Sequence, residues 1–586
     1  MGLVLFGCAD GSSGGPESGH GGAAQGGQSN NGGSASGGTT GNGGSSNGGA
    51  SNGGASSGGA ANGGSSNGGS SNGGSSNGGS SNGGAASGGA SNGGSANGGS
   101  SNGGSSSGGA SSGGANSGGR STSGGSSSGG TASGGTASGG SSSGGTSSGG
   151  AASGGVVGSG GQTNLPTGVT ALFPVANSTG VCPDPSLRIT FSGAPTLGTS
   201  GKIQVFNSSG TAVASVDMSA ATVSDTIGGT VFNRPLPVFV DGNTAIVYLK
   251  NKALAYNQTY YVTVDSGAIK PPSGTFSVTG NSAWKFTTAS AAPSSLAALT
   301  VSLTGAGNFC SVQGALDALP ANNTAASRIT INSGTYHEII KTNNKSNITL
   351  HGQDRKATII AATNNNVLNP STVGRALVGL DNTNGLVIEN LTIHNLTPQG
   401  GSQAEALRLG SCDKCIVRDA DILSLQDTLL WGGRVYAENC LIAGNVDYIS
   451  GSGVAYFNKC EIRTVGRSGV IVQSRNAVGA YGYVFVDSKI TADSAATSNA
   501  LARIDAAAYP GSHVAYINCQ MTNVSAAGWT ITNTATSSLR FWEYQSTDAN
   551  GNALSMSGRV GGSTRITDAQ AATMRDKAQV LNGWAP

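Results

Sequence analysis

The chain has 586 residues, of which 103 are glycine, and a formal net charge of +2. This length allows several domains, and no stretch approaches the ~18 consecutive apolar residues of a membrane-spanning helix. The low net charge and the lack of any Lys/Arg cluster argue against a nucleic-acid-binding protein.

Residues 1–10, MGLVLFGCAD, contain a short apolar run that ends at Cys8. Leu5-Phe6-Gly7-Cys8 resembles a bacterial lipobox, whose cysteine becomes the lipidated first residue of the mature protein. A secretory signal has a basic region and a longer apolar stretch, so the alternatives are a true start further upstream and a chance match. We interpret this segment as the remnant of a lipoprotein signal. The expected location is secreted or cell-surface, as an outer-membrane lipoprotein of a Gram-negative bacterium anchored only through Cys8.

Residues 11–162 are almost entirely Gly, Ser, Asn, Ala and Thr, much of it in pentapeptides such as SSNGG. With so few apolar side chains, nothing offsets the backbone entropy that folding removes. The composition therefore predicts a disordered tether. A tether directly after Cys8 would let a surface lipoprotein hold its folded part away from the membrane.

Residues 163–292 contain short strand-like runs, including LRITFSG, KIQVFN, TAIVYLK and TYYVTVD, separated by Gly, Pro, Asn and Asp. Short strands at this spacing predict an all-β sandwich. The opening FPVANSTGVCPDPSLRITFS and the closing WKFTTA resemble bacterial Ig-like modules of secreted proteins. We interpret this domain as a spacer, with a carbohydrate-binding role as the alternative.

Residues 293–586 carry a repeat of alternating apolar residues. Six segments share it and end between 393 and 521: LVIENLTI, CIVRDADI, VYAENCLI, AYFNKCEI, YVFVDSKI and VAYINCQM. A β-rich unit that recurs every 20 to 31 residues is typical of a solenoid. The recurrent leucines of leucine-rich repeats are missing, so the pattern predicts a right-handed parallel β-helix. Adjacent coils of such a fold lie roughly 4.8 Å apart.

Two aspartates occupy equivalent positions of neighbouring coils. Asp427 lies five residues after Ile422, and Asp447 lies five residues after Ile442. The repeat therefore predicts stacked carboxylates at ~5 Å, which divide into a protonated acid and an ionised base or nucleophile. Gln426 would offer its amide to a developing oxyanion. The alternative is an Asn/Asp ladder that only satisfies the turns of the coils.

Cysteines fill one position of the repeat in three coils. Cys440 and Cys460 lie on adjacent coils, and this spacing predicts a disulfide between them, whereas Cys519 is too far away. The motif CDKC (412–415) is either a local bridge or two free thiols. No second CxxC or His pair completes a zinc site, so we expect no metal. The pattern leaves the pairing of two others open: Cys182 and Cys310.

Five motifs follow one another from about Leu299 to the C-terminus: GAGNFCSVQGALDALPANN (305–323), GTYHE (334–338), SQAEALRL (402–409), QDTLLWGG (426–433) and NVDYISG (445–451). The first two resemble the opening strand and helix and the next motif of pectin methylesterases. The last three are similar to that family's QAVAL, QDTL and VDFIFG elements. The family consists of carbohydrate esterases built on a right-handed parallel β-helix.

The resemblance assigns roles to five residues. It makes Asp447 the nucleophile and Asp427 the general acid and then base. Gln403 and Gln426 would stabilise the oxyanion. Arg503 matches the arginine of the family's LGRPW motif and would hold Asp447 ionised through a charge-assisted hydrogen bond. The resemblance implies no cofactor.

The segment LARID (501–505) lacks the Gly, Pro and Trp of LGRPW, so the aromatic residue that the family places in the sugar groove is missing. Other side chains would then contact the substrate, although core packing is the alternative for the aromatic ones. The candidates are Trp431, Tyr448, Trp529, Trp542 and Arg475.

The resemblance implies a monomeric esterase that acts on the methyl esters of pectin, a homogalacturonan polysaccharide, and releases methanol. A carboxylate spacing of ~5 Å also suits a retaining glycoside hydrolase, although Gln and Arg around the pair favour an oxyanion. A calcium-dependent lyase would need several clustered carboxylates. A non-catalytic glycan-binding relative at the cell surface is a further alternative.

Overall fold

The computed structural model describes residues 165–586, which belong to one compact unit. The predictions of a signal remnant at 1–10, of lipidation at Cys8 and of a tether at 11–162 lie outside the described residues. Within the described part, no helix has both the length and the apolarity needed to cross a membrane.

The N-terminal described domain is built from short antiparallel strands. The strands are β1 Val169–Phe173, β2 Leu187–Phe191, β3 Thr196–Leu197, β4 Lys202–Asn207, β5 Ala212–Asp217, β6 Thr222–Ile227, β7 Thr230–Pro235, β8 Val238–Asp241, β9 Thr244–Val247, β10 Thr259–Val264, β11 Ile269–Lys270 and β12 Lys285–Thr287. Two four-stranded sheets, β1-β2-β9-β8 and β12-β10-β4-β5, share one hydrophobic core, and two two-stranded sheets, β11-β3 and β6-β7, accompany them. Burial alternates along the strands, as in β10, because successive side chains of a strand point to opposite faces.

The rest of the chain coils through short parallel strands. The first elements are β13 Ala298–Val301, α1 Val312–Ala318, β14 Ser327–Ile331, β15 Gly334–Tyr336, β16 Ile340–Asn343, β17 Ile348–Gly352, β18 Thr358–Ala362, β19 Val378–Asp381, β20 Val387–Glu389, β21 Thr392–Asn395, β22 Leu407–Gly410, β23 Cys415–Arg418, β24 Asp421–Leu423 and β25 Leu429–Trp431. They continue with β26 Arg434–Glu438, β27 Leu441–Gly444, β28 Val446–Gly451, β29 Val454–Asn458, β30 Glu461–Thr464, β31 Val470–Ser474, β32 Tyr483–Val486, β33 Lys489–Ala492, β34 Ala500–Asp505, β35 His513–Ile517, β36 Gln520–Met521, β37 Trp529–Thr532, β38 Arg540–Tyr544, β39 Ser563–Arg565, α2 Asp568–Arg575 and α3 Lys577–Val580.

These strands form three parallel sheets. Eight successive coils contribute one strand to each sheet, and β13, β38 and β39 extend the first sheet alone. The first sheet has the order β13-β14-β17-β20-β23-β26-β29-β32-β35-β38-β39. The second runs β15-β18-β21-β24-β27-β30-β33-β36, and the third runs β16-β19-β22-β25-β28-β31-β34-β37. The prediction of a parallel β-helix that follows an Ig-like β-sandwich is therefore confirmed.

The register agrees with the repeat in the sequence. The residues that end the six segments pair with one another from coil to coil and lie in the core: Ile393, Ile422, Ile442, Ile462, Ile490 and Met521. The polar residue three positions earlier has a positive φ of 50° to 58° in every case: Asn390, Asp419, Asn439, Lys459, Asp487 and Asn518. Asn and Asp tolerate this left-handed conformation better than most residues, which explains their recurrence at the corner between the first and second sheets.

The prediction of a Cys440–Cys460 disulfide is wrong. Both residues, and Cys519, are buried free thiols, whereas the disulfides join Cys182 to Cys310 and Cys412 to Cys415. The coil register does place Cys440 beside Cys460. However, in-register parallel side chains point the same way, so their Cβ atoms stay near the strand spacing of ~4.8 Å instead of the ~3.8 Å of a disulfide.

Candidate active site

The two predicted aspartates lie on adjacent coils at the edge of the third sheet. The main-chain N–H of Asp427 donates to the carbonyl oxygen of Val446 at 3.0 Å, and Leu429 pairs with Ile449. Asp427 therefore occupies the position equivalent to Asp447 on the next coil. Both have a positive φ, 61° and 46°, and the register between β28 and β31 shifts at Asp447. Such irregular backbone at a strand edge re-aims side chains, and here it presents two carboxylates side by side.

Arg503 on β34 pairs with the carboxylate of Asp447. Its Nε atom lies 2.8 Å from Oδ1 and 3.0 Å from Oδ2, and its Nη2 atom also contacts Oδ2. The Asp447 side chain is only 7% exposed, and its burial raises its pKa. The hydrogen bonds and charge of Arg503 oppose that rise, because they favour the ionised carboxylate.

Asp427 shares its arginine with a second carboxylate. The Nη2 atom of Arg375 donates to Oδ2 of Asp427 at 2.9 Å, and Nε of Arg375 lies 2.8 and 2.9 Å from the two oxygens of Glu405. Burial, followed by the negative charge of Glu405, raises the pKa of Asp427 to about 8. Arg375 opposes this rise, and Asp447 adds to it. Asp427 therefore carries a proton at neutral pH, which a general acid requires.

Models of known protein families match both described domains. A pectinesterase model matches residues 298–583, and a bacterial Ig-like domain model matches residues 163–288. Probable pectinesterase 56 of Arabidopsis thaliana is 33% identical over 204 residues, which are 33% of this chain and 70% of that protein. The chain belongs to the pectinesterase family.

Two further relatives are also similar to this chain. Pectinesterase 31 of Arabidopsis thaliana is 32% identical over 204 residues, and the match covers 33% of this chain and 64% of that relative. The solved pectin methylesterase from carrot is 28% identical, with 49% of this chain and 93% of that chain covered and a TM-score of 0.44. The assignment to the pectinesterase family rests on the sequence matches.

Arg375 and Glu405 were not predicted from the sequence. Glu405 is fully buried and lies two residues before Leu407, which pairs with Leu429, so its position corresponds to that of Asp427. The signal was present in the motif SQAEALRL, where an acidic residue interrupts small and apolar ones and the pectinesterase element QAVAL has valine. Arg375 carried no signal, because it lies in a long loop between β18 and β19.

Gln426 directly precedes Asp427, and Gln403 lies on the neighbouring coil, two residues before Glu405. Both glutamines are half-buried, and the N–H of Ala404, next to Gln403, donates to the carbonyl oxygen of Gln426 at 3.1 Å. The Oε1 atom of Gln403 accepts from Ser402 Oγ at 3.1 Å. Their roles as oxyanion donors stay a prediction.

Arg475 follows β31 and faces both carboxylates. Its positive charge opposes the rise in pKa of Asp427 and of Asp447. The guanidinium lies 5.8 Å from the ring centroid of Tyr509, and its Nε atom is buried without a hydrogen-bond partner. This position suits the predicted contact with substrate.

The predicted substrate-binding aromatic residues are not available to a ligand. Trp431, Tyr448 and Trp529 are 1%, 0% and 2% exposed and belong to the core of the β-helix. Trp431 stacks on Phe457 at 5.3 Å, and Trp529 stacks on Phe541 at 4.7 Å, because inward-facing side chains of the third and first sheets meet inside the β-helix. These three predictions are wrong.

Trp542 does not lie on the sheet that carries the active site, so the prediction that it binds substrate is also wrong. It lies on β38 in the first sheet, whereas Asp447 lies in the third. There it is half-buried against the cluster that α2 and α3 cover, with Arg540 5.7 Å from its ring centroid.

Proposed function

We propose that this chain is a pectin methylesterase, which hydrolyses the methyl esters of galacturonate units in pectin and releases methanol. Membership of the pectinesterase family supports the reaction class. The observation that carries the proposal is that the two stacked carboxylates have different ion-pair partners. Arg503 pairs with Asp447, whereas a single arginine, Arg375, pairs with both Asp427 and Glu405.

In the first half-reaction, the ionised carboxylate of Asp447 attacks the carbonyl carbon of the methyl ester. Gln403 and Gln426 donate hydrogen bonds to the oxyanion that develops. Asp427 gives its proton to the methoxy oxygen as the bond from carbonyl carbon to that oxygen breaks, and methanol leaves. The product is a mixed anhydride between Asp447 and the galacturonyl unit.

In the second half-reaction, Asp427 is ionised and acts as a base. It takes a proton from a water molecule, whose oxygen attacks the galacturonyl carbonyl carbon of the anhydride. The anhydride bond breaks, Asp447 becomes a carboxylate again, and the new carboxyl group of the galacturonyl unit releases the remaining proton of the water to solvent. Arg503 stabilises the carboxylate of Asp447 as a leaving group, and Asp427 regains its proton.

A methanol assay on highly methylated pectin separates the candidate functions. An esterase releases methanol without shortening the polymer, a retaining hydrolase creates reducing ends without methanol, and a glycan-binding protein does neither. Methanol and reducing ends are measured on the same samples of the full chain. New reducing ends without methanol would overturn the proposal in favour of the hydrolase.

The pKa of Asp427 predicts the alkaline limb of the pH–rate profile. Asp427 acts as the acid only while protonated, so kcat/KM is expected to fall as pH rises through about 8, the pKa of its carboxyl group. Initial rates of methanol release between pH 5 and about 10 measure the limb. A limb that persists unchanged in Asp427→Asn would belong to another group.

A further inference from the structure

The Ig-like domain packs into the β-helix through the hairpin of β6 and β7. Ile227 and Phe232 of this hairpin are 3% and 1% exposed and belong to the hydrophobic core of the β-helix. The Nζ atom of Lys341, on β16, lies 5.1 Å from the centroid of the Phe232 ring. The hairpin therefore covers the β16 end of the third sheet, the sheet that carries Asp447 and Arg503.

The same hairpin holds the loop at residues 363–377, between β18 and β19. The N–H of Asn233, in β7, donates to Oδ1 of Asn369 at 2.8 Å. In return, Nδ2 of Asn369 donates to the carbonyl oxygen of Asn233 at 2.7 Å and to Oδ1 of Asn364 at 2.7 Å. Asn369 is 7% exposed whereas Asn233 is exposed, so this reciprocal contact between the domains is shielded from water on the side of the loop.

The far end of that loop carries Arg375. The Nζ atom of Lys341 donates to the carbonyl oxygens of Val373 at 2.8 Å and Ala376 at 2.7 Å. The backbone is therefore fixed on both sides of Arg375. The side chain of Lys341 itself lies under Phe232 of the hairpin, so the Ig-like domain supports the loop at two places.

We propose that the Ig-like domain is a positioning element of the active site: its β6–β7 hairpin holds the loop at 363–377 so that Arg375 stays against Glu405 and Asp427. This goes beyond the spacer role that the sequence suggested. This inference rests on the proposed function only where methanol release is used to test it.

Four charged groups face the carboxyl group of Asp427. Glu405 and Asp447 raise its pKa, whereas Arg375 and Arg475 lower it. Displacement of Arg375 removes one of the two cations and leaves both anions in place. The pKa of Asp427 then rises further, and the proton is kept to higher pH.

Asn369→Ala breaks the contact between the hairpin and the loop. We expect a kcat that is roughly tenfold lower and an alkaline limb of the pH–rate profile that moves up by about half a pH unit. Arg375→Ala is expected to move the limb further in the same direction. Tyr248→Phe is the control, because it removes a different contact between the domains, from the hydroxyl group to the carbonyl oxygen of Thr335 at 3.3 Å. The control should leave the limb where it is in the wild type.

A double-mutant cycle separates positioning from a general loss of stability. If Asn369 acts through Arg375, then Asn369→Ala adds no further shift of the limb in an Arg375→Ala background. A lower Tm with an unmoved limb in Asn369→Ala, or an equal shift in both backgrounds, would overturn the inference.

The pKa of Asp427 is also measurable without substrate. Folding raises the pKa of Asp427, so binding of its proton stabilises the folded protein. This stability is fully present below the pKa of the unfolded state and is lost as pH rises through the pKa of the folded state. The Tm difference between each protein and its Asp427→Asn derivative therefore depends on pH and reports the pKa of Asp427 in the folded state. The turning point, which is the pH at which this difference changes, should be higher in Asn369→Ala than in the wild type. No methanol release by the wild type would overturn the proposed function alone, and an unmoved turning point would overturn this inference alone.

Discussion

Asp447→Asn is expected to lower kcat for methanol release by about 10⁴-fold or more, since an amide cannot form the anhydride. The fold should persist, because the site needs a residue that tolerates a φ of 46°, and Asn does so. Arg503 loses its anionic partner, but its side chain is 32% exposed, so water compensates part of that loss. Methanol release at saturating pectin and the Tm of the same sample measure the two effects.

Asp427→Asn is expected to cause a loss of similar size through a different step. The amide cannot protonate the methoxy group or activate water, so the reaction stops before methanol leaves. Asp487→Asn is the matched control, because Asp487 is an exposed corner aspartate with a φ of 50° and lies away from the site. If Asp447→Asn or Asp427→Asn keeps a tenth of wild-type activity, that aspartate has no part in the chemistry.

Arg503→Ala is expected to reduce kcat/KM by roughly 10²–10³-fold and to move the acid limb of the pH–rate profile upward. Asp447 must be ionised to attack, and Arg503 is the group that opposes the rise in its pKa through hydrogen bonds. Without it, the pKa of Asp447 rises, and the carboxylate is lost at a higher pH. The kcat/KM of Arg503→Lys should lie between those of the wild type and Arg503→Ala, because an ammonium group keeps the charge but cannot reproduce the planar contact. Methanol release across pH measures the acid limb of both variants.

Arg463→Ala provides the control for charge removal. Arg463 pairs with Glu461 on the second sheet, its side chain is 41% exposed, and surface ion pairs contribute little. If the Arg503 variants keep a near-normal kcat and an unmoved acid limb, Asp447 draws its cation from elsewhere, and Arg475 is then the first candidate.

The repeat in the sequence was sufficient to predict the coil register and the stacking of the two aspartates. A parallel β-helix has one strand spacing between coils, so equal distances from Ile422 and Ile442 translate directly into adjacent positions. The pairing of Arg503 with Asp447 came from the motif resemblance and agrees with the observed contact. The register and the stacking depend on periodicity, which a sequence displays.

The contacts of Arg375 depend instead on the path of a non-repeating loop and on a second domain. No spacing rule connects Asn233 with Asn369, 136 residues away, or Arg375 with Asp427. The aromatic residues were misassigned for a related reason. Trp431 lies in the QDTLLWGG motif, close in sequence to Asp427, and only the direction of its side chain places it in the core.

Trapping with hydroxylamine tests most directly whether Asp447 forms a covalent intermediate. Hydroxylamine attacks a mixed anhydride at either carbonyl carbon, so turnover of methylated pectin in its presence should leave a hydroxamate on Asp447 in part of the enzyme. Peptide mass spectrometry of the segment that contains Asp447 detects it, and Asp447→Asn or the enzyme without pectin should show none. Undiminished methanol release with no hydroxamate on Asp447 or on the polymer would contradict the account.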